Sequence, residues 1–565
     1  MSFFAEASAY AVTESHSFDQ VSMLSKAQTQ TSQPPRTARF ALTLDHVWLA
    51  AALVLIALRP LLTPIPPHDF WWHLATGRII VAQQAIPVLD SFSYTRTGLP
   101  FYNQGWLAQV LMYGIYQAGG LALTLLVQAA LIALAYGLLL RLCIARTVRL
   151  RLSVALLLLT TLPLSFDNWN VRPQSYAFPL FVGFLVILTE FRLGRRNRLW
   201  LLPLLMLLWV NIHGTFILGL GLIGLTFVGE LLKSLRPSAE GSPAQADARS
   251  EEPALVIREA TRRDAKRKYA FAFLVHLTDV EQRGGRRSCL LLVVWGAITA
   301  LAVLVNPRGL GVLGYVRNLL GSNAVTTLVT EWAPPTIRDA GGIIFFLFLI
   351  GCGIVLIYAR RRPDLTDMLF FGVFLWLALG AVRNIVWFGF VATPLVAVQF
   401  ATLLSPPRAA RRSAGVPALN AVLIGMLGLL LVGGLPWIKP VLLPPSVGSL
   451  LMQDTPVAAV AAMRAQPDRP RHLFHAMGYG SYLIWAAPEQ PVFIDPRIEL
   501  YPYEQWRNYI NLGQANNVAD LLHTYDIDGL LLSKLEQAPL IKAVRADPAW
   551  QIRYEDVNTI YLIRH

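Results

Sequence analysis

Apolar residues run in long unbroken stretches through most of this chain, and polar residues gather between the stretches rather than alternating with them. Roughly 20 successive apolar residues are needed to cross the hydrocarbon core of a bilayer. Stretches of this kind lie near 43–63, 119–141, 152–166, 174–192, 198–212, 214–232, 289–305, 342–359, 368–382, 385–404 and 417–436. They predict a polytopic α-helical membrane protein with about eleven transmembrane helices. The stretches at 152–166 and 198–212 are short for a span, so the count carries a tolerance of one or two.

The pattern changes after Pro444-Pro445, where apolar runs shorten and Pro- or Gly-containing turns separate them. Runs at 481–486, 491–495, 528–532 and 559–563 read as strands, and 454–465, 503–511 and 516–525 as helices. Alternation of the two predicts a C-terminal extracytoplasmic α/β domain over 437–565.

Composition agrees with the membrane class: 55% of the 565 residues are hydrophobic and 15% charged, against roughly 25% charged in soluble chains. Charge sets the orientation. Arg141, Arg146, Arg149 and Arg151 share one connection, and Arg192, Arg195, Arg196 and Arg198 another. Lys266 to Lys268, Arg286 and Arg287, Arg360 to Arg362, and Arg408, Arg411 and Arg412 mark three more. The alternate connections hold far fewer basic residues: Arg78 and Arg96, then Arg172, then Arg308, Arg317 and Arg338. Basic loops stay cytoplasmic. The N-terminus is therefore expected inside, and the loops 64–118 and 306–341 outside, in a multi-pass plasma-membrane protein. This bias accounts for the net charge of +14 without a nucleic-acid partner.

Residues 1–41 are rich in Ser, Thr and Gln and read as a disordered cytoplasmic tail with no cleavable signal. The insert 233–288 within the membrane domain (42–436) reads as a flexible cytoplasmic loop. Its segment 254–279 suits a basic helix on an anionic leaflet. Cys143, Cys289 and Cys352 are too scattered for a disulfide framework or a metal site.

The chemistry-bearing residues lie in the expected outer loops. The first loop carries His68-Asp69-Phe70-Trp71-Trp72-His73 with Gly77 following, then Ile86-Pro87-Val88-Leu89-Asp90-Ser91-Phe92-Ser93. Asp69 stands directly after the first span, placed as a general base for an acceptor hydroxyl. Equally, it reads as the N-cap of a surface helix over 70–84, with Trp71, Trp72 and Trp106 as interfacial anchors. His68, His73 and Asp90 support the base, or His68, Asp69 and Asp90 hold a divalent metal ion; the residues leave both open.

A second group sits at the ends of spans: Arg172 in Asn-Val-Arg-Pro-Gln, His213 in Asn-Ile-His-Gly, and Arg383-Asn384 between two spans with almost no loop. Ionisable groups at membrane depth usually face a functional cavity, and Arg offers a bidentate fork to phosphate. The plain alternatives are arginines snorkelling to headgroups and a histidine closing a helix turn. Glu331, in Thr-Glu-Trp-Ala-Pro-Pro, reads as a solvated rim residue or an acceptor-side acid.

Asp69 after the first span, Trp-Trp-His-Leu with Gly77, and Ile-Pro-x-x-Asp-x-Phe-Ser resemble the first outer loop of GT-C superfamily glycosyltransferases. Arg-Pro-Gln at 172–174, Asn-x-His-Gly at 211–214 and Asn-Pro-x-Gly at 306–309 are similar to that group too. Gly478-Tyr479-Gly480-Ser481-Tyr482, Asp495 and Tyr525-Asp526-Ile527-Asp528-Gly529 are similar in layout to the outer domain of oligosaccharyltransferase catalytic subunits. Thr330-Glu331 resembles the glutamate motif of their last large outer loop. Two features depart from the pattern. A single Asp replaces the usual acidic pair, and Ala476-Met477-Gly478-Tyr479-Gly480 stands where Trp-Trp-Asp-Tyr-Gly is expected.

The resemblance implies an inverting transfer of a sugar from a polyprenyl-phosphate donor to a lipid or glycan acceptor. Asp69 is then the catalytic carboxylate, and Arg383, Arg172 and His213 are candidates to bind the donor phosphate. Two other readings remain at this stage, a lipid-linked glycan transporter and a non-catalytic glycolipid-binding scaffold.

Overall fold

Helices stand at the apolar stretches of the chain. The computed structural model describes residues 42–235, 285–320, 330–404 and 415–565. The tail 1–41, the segment 254–279 and the arginines at 408, 411 and 412 lie outside the described residues. The insert expected at 233–288 is described only at its ends, and both are helical.

In order, the helices are α1 (Leu44–Leu62), α2 (Asp69–Gln83), α3 (Trp106–Thr147), α4 (Leu150–Leu156), α5 (Pro173–Arg192), α6 (Leu201–Ile212) and α7 (Phe216–Ser234). They continue as α8 (Arg286–Ala302), α9 (Gly311–Leu320), α10 (Ala340–Tyr358), α11 (Leu365–Gly380), α12 (Ile385–Leu403) and α13 (Pro417–Gly433). Six are long and apolar enough to cross a membrane: α1, α3, α5, α7, α10, and α12 with the 3-10 turn Val382–Asn384 before it. The stretch at 152–166 is short because α4 passes into a π-turn at Leu157–Thr161 and a 3-10 stretch at Pro163–Asn168. In α3 the helical dihedrals break at Gly119 and Gly120, the latter at φ 59°, close to where the second apolar stretch begins.

Aromatic side chains of α5, α6, α11 and α12 interlock in the bundle core, among them Phe181, Trp209, Phe374 and Trp387. At the C-terminal end of α5 lies a fully buried ionic cluster. Arg192 pairs with Asp364 (2.6 Å) and Asp367, Arg146 with Asp367 (2.6 Å), and Lys233 with Asp364 (2.7 Å) and Glu230 (2.9 Å). Arg146 and Arg192, counted above as loop charges, are therefore balanced inside the protein. Arg151 is paired with Asp45 (2.8 Å) as well, so the cationic bias of this end rests on Arg149, Arg195, Arg196, Arg198, Arg286, Arg287 and Arg360 to Arg362.

The C-terminal residues form a four-stranded sheet in the order β1 (Leu473–His475), β2 (Gly529–Ser533), β4 (Thr559–Arg564), β3 (Trp550–Glu555). β1 and β2 are parallel and the other pairs antiparallel. The helices are α14 (Val457–Ala465), α15 (Met477–Ala486), α16 (Tyr503–Gly513), α17 (Val518–Thr524) and α18 (Ala538–Arg545). The run at 481–486, read as a strand, belongs to α15. A buried six-residue apolar run has no period to separate strand from helix, and contact with α2 decides the matter. The run at 491–495 joins no ladder, and Val492 makes only isolated bridges to Ser93 and Leu473.

α15 lies against α2. The Trp72 backbone N–H donates to Ser481 Oγ (3.0 Å), and Trp71 meets Tyr482 edge-on at 5.0 Å. Ile65 pairs through its backbone with Leu450 and Met452, and the Lys439 ammonium donates to the Leu61 carbonyl (2.7 Å) at the end of α1. The described residues from 42 to 565 accordingly form one packed unit. The change of pattern near 437 is a change of secondary structure without a break in packing.

Candidate active site

The site forms where α2 begins. Asp69 is the first residue of α2 and His68 its N-cap, with no side-chain cap bond. The N-cap reading of Asp69 is therefore off by one residue. An acid in the first turn is still favoured by the helix dipole. Gly77 lets α2 approach α3, since a Cβ there would lie 2.2 Å from the Gln109 carbonyl oxygen. Gly478 does the same for the C-terminal domain: its Cβ would stand 2.7 Å from His68 Nδ1.

Three further segments converge on Asp69. Arg172 is the extended residue before Pro173, and proline at the first helical position fixes the start of α5. Its Nη1 lies 2.8 Å from Glu331 Oε1 and 3.7 Å from Asp69 Oδ2. Glu331 belongs to the 3-10 turn Thr330–Trp332, and the Val382 N–H donates to the neighbouring Ala333 carbonyl (3.0 Å). Arg383 then lies over the Trp332 ring at 4.6 Å. Among the described residues, no hydrogen-bond acceptor is within reach of its guanidinium.

Protein rings Asp69 closely, yet 35% of its side-chain surface stays accessible, so the carboxylate faces an open groove. Burial raises its pKa from the ordinary aspartate value; the Arg172 charge works against this and Glu331 adds to it. Glu331 also loses solvation, but Arg172 and Arg383 hold it below its ordinary value. Burial, with His213 and Arg172 nearby, keeps His73 neutral. Gln109 Nε2 donates to His73 Nδ1 (3.0 Å), and Asn103 Nδ2 donates in turn to Gln109 Oε1 (2.7 Å).

His213 closes α6, and its Nδ1 accepts from the Thr215 N–H (3.2 Å). Burial and then the Arg383 and Arg172 charges lower its pKa to about 3. It is thus a neutral ring with Nε2–H as its donor, not a cation. The amides around it serve structure: Asn211 accepts from Trp106 Nε1 (2.8 Å), and Asn306 bonds the Val303 and Gly309 carbonyls.

Asp90 is the sequence candidate that the structure places elsewhere. Its carboxylate meets Arg497 (2.7 Å) and accepts from Ser93 Oγ (2.7 Å). Those bonds hold the first long loop against the C-terminal domain. With Asp90 so engaged, the alternative in which His68, Asp69 and Asp90 hold a metal ion lacks its third ligand. Among the described residues, no group of three or more His, Cys, Asp or Glu side chains is arranged to bind a metal ion.

Two further groups carry no sequence signal of their own. Burial raises the pKa of Glu499; its own backbone hydrogen bond and the Arg497 charge work against this, and Asp495 and then Asp69 add to it. Tyr315, in α9, stacks on Tyr102 at 4.6 Å and feels both Glu499 and Arg383. Tyr102 also borders a cavity of about 600 Å³ between α2, α3 and the loop at 306–308, walled by Ile80, Val81, Val110 and Val210 with Asn103 and Gln104 at its polar side.

No family model and no curated protein sequence matches the chain. Solved structures do. The oligosaccharyltransferase of Archaeoglobus fulgidus, tethered to an acceptor peptide containing the NVT sequon, aligns over 92% of this chain and 74% of its own at 12% identity and a TM-score of 0.50. Archaeal AglB from Archaeoglobus fulgidus, in complex with an inhibitory peptide and a dolichol-phosphate, covers the same shares at 12% identity and 0.47. ArnT from Cupriavidus metallidurans, bound to undecaprenyl phosphate, aligns over 91% of this chain and 97% of its own at 12% identity and 0.45. The likeness is one of fold. The chain shares its fold with the first of these structures, and six of its described helices are long and apolar enough to cross a membrane.

Proposed function

We propose that this protein is a membrane glycosyltransferase that moves a sugar from a polyprenyl-phosphate donor to a lipid or glycan acceptor at the non-cytoplasmic face. The observation that carries this reading is an accessible carboxylate, Asp69, beside Arg172 and near an arginine, Arg383, whose fork has no acceptor among the described residues. A base and guanidinium groups thus lie within one site, as a displacement with an anionic leaving group requires.

Asp69 takes the proton of the acceptor hydroxyl. The oxygen attacks the anomeric carbon from the face opposite the phosphate, and the carbon–oxygen bond to phosphate breaks with its electron pair leaving on the phosphate. One such displacement inverts the anomeric configuration. Negative charge grows on the leaving phosphate, so Arg383 stabilises the transition state more than the ground state. A well-placed donor of this kind contributes about 3–4 kcal/mol. Arg172, shared with Glu331, works against burial in favour of the ionised form of Asp69 and adds to the field at the phosphate. His213 offers a neutral N–H to the same anion.

The test uses purified protein in lipid nanodiscs with a panel of polyprenyl-phosphate sugars, following release of free polyprenyl phosphate. Release that disappears in Asp69→Asn supports the reading. Tight donor binding without release from any donor overturns it in favour of a scaffold. Donor crossing the bilayer without release points to a transporter.

A further inference from the structure

The turn Asn306-Pro307-Arg308-Gly309 fixes an arginine. Asn306 Nδ2 donates to the Val303 and Gly309 carbonyls (2.7 and 2.9 Å), and its Oδ1 accepts from the Arg308 N–H (2.9 Å). Gly309 closes the turn at φ 52°, a left-handed conformation that glycine adopts without steric cost. Arg308 is thereby set over the Tyr102 ring at 4.4 Å, with its Nη2 donating to the Phe101 carbonyl (3.3 Å). It pairs with no carboxylate among the described residues, and it lines the cavity of about 600 Å³ beside Tyr102.

That cavity has a direction. Its apolar end is formed by Ile80 and Val81 of α2 and by Ile86 and Val88 just after it, roughly 16 Å along the helix axis from Asp69. Its polar end is Asn103, Gln104 and Arg308, and this end lies toward the base. Phe101, whose carbonyl Arg308 binds, meets the Trp72 ring at 6.3 Å. Asn103 is joined through Gln109 to His73, one helical turn after Asp69 on the same face. Among the described residues no Asp or Glu lines the cavity. Val81 and Val88 are exposed, as are Leu304, Val305 and Leu310 on either side of Arg308 in the chain, so apolar surface leads to the cavity from outside. Gln104 and the stacked Tyr102–Tyr315 pair part it from His213, since a Cβ on Gly214 would lie 3.9 Å from Gln104 Oε1 and 3.7 Å from Tyr315 Cε1. The phosphate site assigned to His213 lies beyond that partition.

We infer that this cavity seats the acceptor, and that the acceptor is an anionic phospholipid with a hydroxylated head. One acyl chain fills the apolar end, the phosphate rests on Arg308, and a head hydroxyl reaches Asp69. This rests on the glycosyltransferase reading and adds a substrate class to it. The volume falls within the range of about 300–1,000 Å³ usual for ligand pockets, and the guanidinium offers phosphate a fork. The head beyond the phosphate covers the remaining helical turn to the base. Asp69 takes the proton of the head hydroxyl, the oxygen joins the anomeric carbon, and polyprenyl phosphate leaves with the electron pair.

The experiment places the protein in phosphatidylcholine nanodiscs with the donor that the nanodisc panel identifies. Phosphatidylglycerol, phosphatidylinositol or n-octyl β-D-glucoside is added as acceptor. The expected result is a glycosylated product from at least one anionic lipid, at a KM about tenfold or more below that for the octyl glucoside. Arg308→Gln raises the lipid KM about tenfold or more, with donor affinity within about twofold. Val110→Trp, which fills the cavity without touching a charge, does the same; if it melts lower, Val81→Trp at the exposed rim replaces it. Phosphatidylglycerol carrying a diazirine on its acyl chain reads the seat without turnover. It should label the 80–88 and 304–310 segments, less so in the Trp variant, and keep doing so when undecaprenyl phosphate is added. Equal use of the octyl glucoside, an unchanged lipid KM in Arg308→Gln, label found only elsewhere, or label displaced by undecaprenyl phosphate overturns the inference. A wild-type protein that releases no polyprenyl phosphate from any donor instead fails the glycosyltransferase reading, and the acceptor role falls with it.

Discussion

Asp69 is asked to be charged where charge is disfavoured. Its pKa is raised by burial, then adjusted down by Arg172 and up by Glu331. Only the ionised form can take a proton, so activity should fall as pH drops through the raised value, giving an ascending limb above the ordinary aspartate range. Glu331→Gln removes the raising charge and should move that limb to lower pH; Arg172→Gln should move it higher. Rate–pH profiles of polyprenyl phosphate release check both signs. A group whose folded pKa is raised stabilises the protein below its unfolded pKa and loses that contribution as pH rises through the folded value. Ionised Asp69 therefore opposes stability at neutral pH. Asp69→Asn should melt higher than wild type at pH 7, with the gap closing in acid, while activity drops about 10²–10⁴-fold. Asp69, Arg172 and Arg383 were legible because polar residues at span ends stand out against apolar neighbours. The pairing of Arg497 with Asp90 was not, since in Pro496-Arg497-Ile498-Glu499-Leu500 one charge among several gives no sign of which is spent internally.

At the scale of elements, the site depends on how closely α2 sits between α3 and α15. Gly77→Ala would place a methyl group against the Gln109 carbonyl. Such overpacking costs about 1–3 kcal/mol and should shift Asp69 away from Arg172, visible as lower melting together with lower kcat. Asp90→Ala acts differently, leaving the Arg497 guanidinium short of a partner in a buried cluster. Arg497 keeps Asp495, so the loss is that of one hydrogen bond to a charged group, about 1.5–3 kcal/mol, and thermal unfolding in nanodiscs reads it. The motif around Asp90 was visible in the sequence, but its role was not, because its partner lies some four hundred positions away. The same distance explains the misreading of 481–486. The helical state of α15 depends on Trp71, Trp72 and Ser481 meeting across two segments far apart in the chain.

For the whole molecule, the two ends of the bundle differ in how charge is handled. α5 is about 30 Å long, with Arg172 and the groove at its start and the buried Arg192 cluster at its end. Beyond Arg192, the exposed Arg195 and Arg196 follow in the connection to α6. Basic loops hold to the cytoplasmic side, so we propose that the groove and the C-terminal domain seated on α2 lie on the opposite side, where the proposed lipid-linked donor would present its phosphate. Labelling tests this. In a Cys289→Ser background, with Cys143 and Cys352 buried, Gln551→Cys on β3 and Arg196→Cys in the α5–α6 connection are both exposed positions. A membrane-impermeant maleimide added to intact cells should modify Gln551→Cys and spare Arg196→Cys until the membrane is permeabilised. The reverse pattern would put the groove on the cytoplasmic face, and the donor would then have to present its sugar there.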